Sequence, residues 1–245
     1  MDIQRAKPDS MVDISEKGRS PDGRLISLDR RLYMQFMAFG AAHHSENFIS
    51  ALAEADIQGA LYEDLNDPNG LGFLTFSENP DVFLTQVRPL LKARPIASLT
   101  LKPEFTMFGR TYTIGYEDDL ERVLIRRPIE RVTDPSLRWA VWYPVRRSGA
   151  FEQLPPDEQR TILMEHGGIG RAYGSADLVY DIRLACFGLD KNDNDFVIGL
   201  LGHELFPLSA IVERMRKTRQ TSQYLTDLGP FFVGKAIWQS KVGAE

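Results

Sequence analysis

Apolar and polar positions along the first half of the chain predict an alternation of strands and helices. Residues 31–39 are rich in apolar and aromatic side chains and predict a buried strand, and Ser45 can cap a helix that runs to about residue 54. The other predicted elements are strands at 59–63 and 71–76 around a turn at 66–70, a helix at 81–92 with a kink or early end at Pro89, and strand segments at 99–116. This β-α-β-β-α-β order is typical of a ferredoxin-like unit.

The second half of the chain repeats the same order of predicted elements. We therefore predict an α+β fold in which tandem ferredoxin-like repeats form a dimeric α+β barrel within one chain. The predicted elements are strands at 139–145, 178–189, 196–201 and 231–237 and helices at 155–166 and 205–217. The predicted organisation is a flexible N-terminal tail at 1–28, an N-terminal half at 29–116, a connector at 117–136 and a C-terminal half at 137–240. Charges of both signs alternate in the connector, so we expect it to be a solvated surface segment.

Composition narrows the class of protein. Of the 245 residues, 43% are hydrophobic and 26% are charged, which is ordinary for a globular protein. The net charge of -5 does not favour a surface for duplex nucleic acid, and the single cysteine, Cys186, excludes both an intramolecular disulfide and a cysteine-rich zinc site. No apolar stretch is long enough to span a membrane, and the N-terminal segment lacks the apolar core of a signal peptide. We therefore expect a cytoplasmic location.

Two short stretches resemble known binding motifs but lack residues that those motifs require, and the single cysteine is not expected to be reactive. In HGGIGRAYG, at 166–174, the third glycine of a dinucleotide fingerprint would fall at Tyr173, and the stretch follows a helix instead of a strand. The DKNDND stretch at 190–195 lacks the glycine and the distal glutamate of a calcium loop and is better interpreted as a turn. Cys186 lies in an apolar strand and is expected to be a core thiol.

His166 leaves two interpretations open. It follows Ile162 by four residues and should point with the apolar face of its helix, which Gly167 and Gly168 are predicted to end. It is either a partly buried histidine at a helix C-terminus, where a cation gains roughly 0.3–1 kcal/mol, or an axial ligand of haem iron. A single imidazole suffices for haem, because the porphyrin supplies the other four nitrogens.

Four motifs resemble those of the chlorite dismutase superfamily, and within it the coproheme decarboxylases. They are WYPVRR (142–147), LMEHGGIGRAY (163–173), FGLD (187–190) and GPFFVGK (229–235). The resemblance implies a tandem ferredoxin-like barrel, a ring of several subunits (commonly five) and a haem cofactor, either coproheme or haem b. It further implies hydrogen peroxide as co-substrate and oxidative decarboxylation of coproheme propionates to vinyl groups, which gives haem b.

The resemblance also assigns roles to individual residues. His166 corresponds to the iron ligand, and Tyr143 to the tyrosine whose oxidised form takes a hydrogen from the propionate β-carbon. Arg147 stands where the family usually has a lysine that contacts a propionate, and it adds a bidentate carboxylate fork. Ser222 and Arg127 correspond to further propionate-binding residues.

The distal side departs from the family pattern. Counting from the flanking motifs puts the distal residue at Asp181 or Val179, and Arg183 would take this role only if the register shifts. Phe151 replaces a tryptophan of true chlorite dismutases, and Leu201 replaces a glutamate that hydrogen-bonds the proximal histidine there. These changes argue against efficient chlorite chemistry. Three alternatives stay open: a chlorite dismutase or weak haem peroxidase, a non-catalytic haem-binding or haem-transfer protein, and a haem-free structural barrel.

Overall fold

Eight antiparallel strands close into a barrel in this computed structural model, which describes residues 12–241. The strands are β3 (Tyr33–Gly40), β4 (Gly59–Asp64), β5 (Leu71–Ser77), β6 (Thr100–Thr111), β7 (Trp139–Arg147), β8 (Tyr180–Ala185), β9 (Phe196–Gly202) and β11 (Phe232–Gln239). They pair in the order β7-β11-β4-β5-β3-β6-β8-β9, and β9 pairs with β7 to close the circle. Two short strands, β1 (Glu16–Arg19) and β2 (Leu25–Leu28), form a separate hairpin, and β10 (Leu225–Leu228) pairs with the end of β7.

The two halves of the barrel have the same strand order. The first half runs β4-β5-β3-β6 and the second runs β8-β9-β7-β11, so in each half the first strand lies between the third and the fourth. The halves meet where β6 pairs with β8 and where β11 pairs with β4. The predicted α+β fold of tandem ferredoxin-like repeats is therefore confirmed.

Helices cover the outer face of the barrel. On the first half lie α1 (Ser45–Glu54) and α2 (Arg88–Lys92). A π-helical turn (Phe83–Val87) comes just before α2, next to Pro89, where a kink or an early end was predicted. A 3₁₀ turn follows α2 at Ile96–Ser98. On the second half lie α5 (Pro156–Ser175) and α6 (Leu205–Met215), with the short helices α4 (Gly149–Glu152) and α7 (Arg219–Tyr224) beside them. None of the helices within residues 12–241 combines the length and apolarity needed to cross a membrane.

The pleat of the strands separates the buried side chains into three clusters. Alternate strand residues point into the barrel, where large aromatic side chains fill the interior; among them are Trp142, Tyr62, Phe36 and Phe232. The other residues point outward under the helices. On the first half this outer layer is filled with phenylalanines: Phe39, Phe48, Phe73 and Phe83. The matching layer of the second half is less filled and leaves a cavity.

Helix α5 passes beyond the predicted end at Gly167 and Gly168. Neither glycine adopts a positive φ, so neither ends the helix, which runs nine more residues than predicted to Ser175. The stop comes at Asp177, which has a φ of 59°, while its amide bonds to the Gly174 carbonyl and the next amide bonds to the Tyr173 carbonyl. This is the Schellman arrangement. His166 is consequently in the middle of a helix, and the interpretation that placed it at a helix C-terminus is wrong.

The segment at 117–136 is not a solvated connector. It holds a π-helical turn (Arg122–Arg126) followed by α3 (Arg127–Thr133). Leu120, Leu124 and Val132 lie in the barrel-interior cluster, so this helix contributes to the core. Glu121, Arg122, Arg126 and Glu130 are exposed, whereas Arg127 and Arg131 are half-buried. The alternation of charges hid the spacing of four and eight residues between the buried apolar side chains.

The segment at 12–28 does not form a loose tail. Strands β1 and β2 pair over four residues each, and the Arg19 amide bonds to the Glu117 carbonyl. Glu16 accepts hydrogen bonds from the guanidinium of Arg110 and from the amide and hydroxyl of Thr113. These long-range contacts hold the hairpin against the barrel. Residues 1–11 of the predicted tail lie outside the described residues.

The link between β8 and β9 is a turn, as predicted, but β8 ends at Ala185 and the turn is correspondingly longer. The Asp190 carboxylate accepts hydrogen bonds from the Asn192 amide and the Asn194 side chain, which folds the loop on itself. Cys186 just before it is buried, and burial raises the pKa of its thiol to about 12. The prediction of a core thiol is confirmed.

Candidate functional site

A cavity of about 850 Å³ lies between helix α5 and the outer face of β7, β8 and β9. On the sheet wall it is lined by Tyr143, Val145, Arg147, Arg183, Phe196 and Ile198, and on the helix wall by residues that include Leu163, Met164, His166 and Gly167. Further lining residues come from the segment at 112–116, from α6 and from α7. Its volume falls within the range of roughly 300–1,000 Å³ that small-molecule and cofactor sites occupy.

Strand register brings the sheet residues to one face. Tyr143 is the neighbour of Ile198 on β9, and Ile198 is in turn the neighbour of Arg183 on β8. Side chains that are direct neighbours across antiparallel strands point to the same face. Tyr143 and Arg183 therefore stand in one row with a single apolar residue between them, and Arg147 lies four positions along the same face of β7.

His166 enters the cavity from the helix wall. Its Nδ1 lies 3.2 Å from the hydroxyl oxygen of Thr218, which is 2% exposed at the junction of α6 and α7. Burial, together with the positive charges of Arg183 and Arg147, lowers the pKa of His166 to about 4. The imidazole is therefore neutral at pH 7, which is the form that binds a metal ion.

The cavity is strongly cationic. No aspartate or glutamate is among its lining residues in the described part of the chain, whereas six arginines are. They are Arg19, Arg147, Arg160, Arg171, Arg183 and Arg216. Such a concentration of fixed positive charge in a partly enclosed site favours an anionic ligand, because the surrounding protein screens the charges less than water does.

Arg147 is held rigidly at the cavity wall. Its guanidinium carbon lies 4.5 Å from the ring centre of Phe151 and 4.7 Å from that of Phe196, so cation–π contacts fix it on two sides. Its Nε is buried and has no hydrogen-bond partner among the described residues. A buried donor of this kind is normally paired, so the carboxylate of a ligand is a suitable acceptor.

Tyr143 is 5% exposed and borders the cavity on the sheet wall. Its ring stacks on Phe231, and burial raises the pKa of its hydroxyl far above the usual value. The phenol is therefore protonated at any physiological pH. Its hydroxyl makes no hydrogen bond to another described residue, which leaves it available to a bound molecule.

Of the three residues considered for the distal position, Arg183 is the one that lines the cavity. β8 and β9 pair regularly over six residues, with Arg183 beside Ile198. Asp181 pairs with Arg183 at 3.1 Å and also with Arg131. Burial acts against ionisation of Asp181, but the charges of Arg183, Arg131 and Arg127 keep its pKa below the usual value. Val179 is buried in the apolar cluster beneath the helices.

Two residues that the family resemblance places at propionates do not line the cavity. Arg127 lies on α3, where burial and the neighbouring Arg131 lower the pKa of its guanidinium. Ser222 is exposed on α7, and its hydroxyl donates a hydrogen bond to the Thr218 carbonyl. Gln220 and Thr221, which come just before it on the same helix, line the cavity in its place.

Sequence reasoning missed four of the six cavity arginines. Arg160 and Arg171 belong to a stripe on α5 with Met164 and Gly167, at intervals of three and four residues. The sequence could have predicted this stripe only if the helix had been extended beyond Gly167 and Gly168. Arg19 comes from the N-terminal hairpin and Arg216 from the end of α6, and no local pattern connects either of them with the site.

Comparisons with known proteins identify the family and the fold. The chlorite dismutase family model matches residues 73–237. A heme-binding protein from Thermus thermophilus superposes with a TM-score of 0.65 and 20% identity over 85% of this chain and 92% of the other. Chlorite dismutase from Candidatus Nitrospira defluvii in complex with imidazole superposes with a TM-score of 0.66 and 16% identity over the same shares, 85% and 92%. At these identities the likeness shows the fold alone.

A relative in sequence is a protein of Natronomonas pharaonis named as a candidate heme-binding protein. It is 29% identical over 134 residues, which make up 52% of this chain and 22% of the relative, so the match spans about a fifth of that protein's length. The family model, in contrast, covers well over half of the present chain and includes β7, α5, β8 and β9, which form the cavity. The chain belongs to the chlorite dismutase family.

Proposed function

We propose that the protein binds an anionic iron porphyrin through His166 and decarboxylates the propionates of coproheme with hydrogen peroxide, giving haem b. The observation that carries the proposal is the cavity itself. A neutral histidine on the helix wall faces a protonated tyrosine on the sheet wall, and six arginines and no carboxylate of the described residues line the space between. The heme-binding names of two relatives support a porphyrin as the ligand.

The residues present fit a porphyrin. A side chain added at Gly167 would meet no atom within 4 Å, so the helix surface next to His166 is open toward the cavity. A flat ring can approach the helix backbone at this point. Apolar side chains such as Leu163, Ile198 and Met215 line the same space and suit the apolar body of the macrocycle.

The number of arginines favours a ligand with several carboxylates. Arg147 and Arg183 lie near the carboxylates of Glu152 and Asp181, which leaves four arginines of the lining without a carboxylate partner among the described residues. Haem b carries two propionates and coproheme carries four, so coproheme matches this lining better. In this proposal Arg147 holds one carboxylate in a fixed orientation, since its guanidinium is already immobilised between two rings. Arg160 and Arg171, which are exposed on α5, meet carboxylates toward solvent. Arg127 and Ser222 retain a role at propionates only if they move or act through water.

Iron held by His166 would supply, with peroxide as the oxidant, the two one-electron oxidations that each propionate needs. Tyr143 gives up its hydroxyl hydrogen and then takes one from the propionate β-carbon, which restores the phenol. Loss of a second electron from the substrate releases carbon dioxide and leaves a vinyl group. For each propionate, one peroxide and one proton are consumed, and carbon dioxide and two waters are formed. Arg147 keeps the carboxylate and the β-carbon in place beside Tyr143, and positioning of this kind is a large part of catalysis.

Peroxide titration of the coproheme complex, followed by mass spectrometry of the extracted porphyrin, tests the proposal. We expect two successive losses of carbon dioxide with two hydrogens in the wild type and none in Tyr143→Phe. Tyr143→Phe should still bind coproheme with a Soret band, whereas His166→Ala should lose the iron ligand. An unchanged porphyrin mass in the wild type would refute decarboxylation and leave the non-catalytic haem-binding alternative.

One observation favours chlorite dismutase activity as a second candidate. Arg183 on the sheet wall lines the same cavity as His166 on the helix wall, and it is the one of the three distal candidates that does so. Against it, Leu201 lies inside the barrel and cannot supply the carboxylate that the resemblance places beside the proximal histidine. Oxygen release from chlorite by the haem-loaded protein, compared between the wild type and Arg183→Gln, separates the two candidates.

The family resemblance extends the proposal to assembly, and the sequence pattern extends it to location. We include a ring of five subunits and a cytoplasmic location in it. Sedimentation velocity of the purified protein tests the first, and fractionation of the source cells tests the second.

A further inference from the structure

The hydroxyl of Thr218 is the hydrogen-bond partner of His166. The two side chains come from positions 52 residues apart, and Nδ1 lies 3.2 Å from Oγ1. The glutamate that the family resemblance would place at this histidine is replaced by Leu201, which is fully buried in the barrel-interior cluster on the other face of the sheet. Thr218 is therefore the group that the chain offers to the imidazole instead.

The other contacts of Thr218 set the direction of this hydrogen bond. A hydroxyl has one hydrogen to donate and two lone pairs to accept with. Oγ1 lies 2.8 Å from the carbonyl oxygen of Met215, which can only accept, so the hydroxyl hydrogen is committed there. A further contact to the hydroxyl of Thr221 is longer, at 3.4 Å. Toward His166 the oxygen acts as acceptor, and the hydrogen between the two residues belongs to Nδ1.

The position of Thr218 makes this arrangement rigid. The residue is the N-cap of α7, its amide bonds to the Met215 carbonyl at 3.0 Å, and its side chain is 2% exposed. The hydroxyl is therefore fixed by the junction of two helices, and it cannot turn to donate to the imidazole without losing the Met215 carbonyl. A neutral imidazole with its hydrogen on Nδ1 carries its lone pair on Nε2.

We infer that Thr218 is a positioning residue that holds His166 in the Nδ1–H tautomer and so presents the Nε2 lone pair to the cavity. The inference deepens the proposed function, because it rests on His166 as the iron ligand. Since the acceptor is a neutral hydroxyl and not a carboxylate, the imidazole keeps its neutral character and gives less electron density to iron than a carboxylate-bonded histidine does.

Nitrogen-15 NMR of the ligand-free protein, labelled at its four histidines, tests the inference without any porphyrin. His166 is assigned by the signal that disappears in His166→Gln. We expect the Nδ1–H pattern at pH 7 in the wild type and in Thr218→Ser, which keeps the hydroxyl. Thr218→Val, of similar shape but without the hydroxyl, should show a mixture of both tautomers.

Thr161→Val is the matched control. Thr161 lies on the same helix as His166 and is exposed, and its hydroxyl bonds to the Asp157 carbonyl one turn earlier. This variant makes the same chemical change without touching the imidazole and should retain the wild-type signal. The inference is overturned if the wild type shows the Nε2–H pattern, or if Thr218→Val keeps the wild-type pattern. Should Thr218→Val fail to fold, the wild-type and Thr218→Ser spectra still decide the matter.

Resonance Raman spectra of the ferrous haem complex provide the second measurement. Loss of the hydrogen bond in Thr218→Val should shift the iron–histidine stretching band, and Thr218→Ser should restore it. An unshifted band contradicts the inference. If no iron–histidine band is seen in the wild type, the proposed ligation fails, while the NMR result on the ligand-free protein still reports on Thr218.

Discussion

The ring of Tyr143 lies face to face with that of Phe231, with centroids 4.5 Å apart and 23° between the planes. Phe231 follows the cis peptide bond between Gly229 and Pro230, and the guanidinium of Arg216 lies 5.9 Å from its ring centre. No described residue holds the Tyr143 hydroxyl by a hydrogen bond, so packing, including the stack on Phe231, holds the side chain in place. The GPFFVGK motif at 229–235 thus has a defined relation to the proposed catalytic tyrosine.

Replacing Phe231 with leucine should slow decarboxylation without weakening coproheme binding to the same degree. Leucine preserves apolar contact but removes the stacking surface, at a cost to stability of about 1 kcal/mol. Mass spectrometry measures the rate of decarboxylation, Soret titration measures the affinity for coproheme, and urea unfolding measures the stability. Phe231→Tyr keeps the ring and should retain most of the activity. Equal activity in Phe231→Leu and Phe231→Tyr would show that the stack does not position Tyr143.

The ligand-free protein should lose stability as the pH falls from about 6.5 to about 4. Burial and the neighbouring arginines lower the pKa of His166 in the folded state to about 4, against an ordinary value of 6.5. Between these values the unfolded chain binds a proton that the folded one does not, so the free energy of unfolding falls with pH by up to about 3 kcal/mol. Above pH 6.5 the histidine is unprotonated in both states, so this loss of stability is absent.

Urea unfolding of the wild type and of His166→Gln at several pH values checks this expectation. Other groups titrate in the same range, so the difference between the two profiles isolates His166. The difference should grow in favour of the variant as the pH falls below 6.5 and level off near pH 4. Parallel profiles would mean that the pKa of His166 is not lowered in the folded protein.

Neutralising Arg147 should weaken coproheme binding about tenfold or more, because a charge-assisted hydrogen bond to a buried carboxylate is worth roughly 1.5–3 kcal/mol. Arg146→Gln is the matched control. Arg146 is adjacent on β7 and points away from the cavity, where its Nε donates to the Asp193 carbonyl at 3.1 Å. Soret titration of Arg147→Gln and Arg146→Gln gives the two affinities. Comparable losses in both variants would indicate a general charge effect and not a specific carboxylate contact.

Alanine at Gly168 should stabilise the protein by about 1 kcal/mol, since glycine inside a helix costs roughly that much relative to alanine. An added methyl group at Gly168 meets no atom within 4 Å, and the backbone there is helical. Gly199→Ala serves as the contrasting variant, because its methyl group would clash with the indole of Trp142 and should destabilise by about 1–3 kcal/mol. Chemical denaturation of both variants measures the two changes in the free energy of unfolding. A destabilised Gly168→Ala would contradict the helical conformation of this residue.

The sequence by itself determined the order of the eight barrel strands and of the helices α1, α2, α5 and α6, and it pointed to Tyr143, Arg147 and His166, which line the cavity. Strand alternation and helical spacing are local properties, and they predicted both ferredoxin-like halves, the strand that carries Tyr143 and the helix that carries His166. The motifs around these residues were sufficient to indicate the family. Cys186 as a core thiol also followed from its apolar neighbours alone.

The tertiary structure decided which side chains reach the cavity. Glycine permits a helix end but does not require one, and packing against the sheet carried α5 past Gly167 and Gly168 to Ser175. Barrel closure brought Arg19 to the site from the N-terminal hairpin and left Arg127 and Ser222 outside its lining. Thr218 meets His166 only because α6 ends where it does. These relations join residues far apart in the chain, and no local periodicity encodes them.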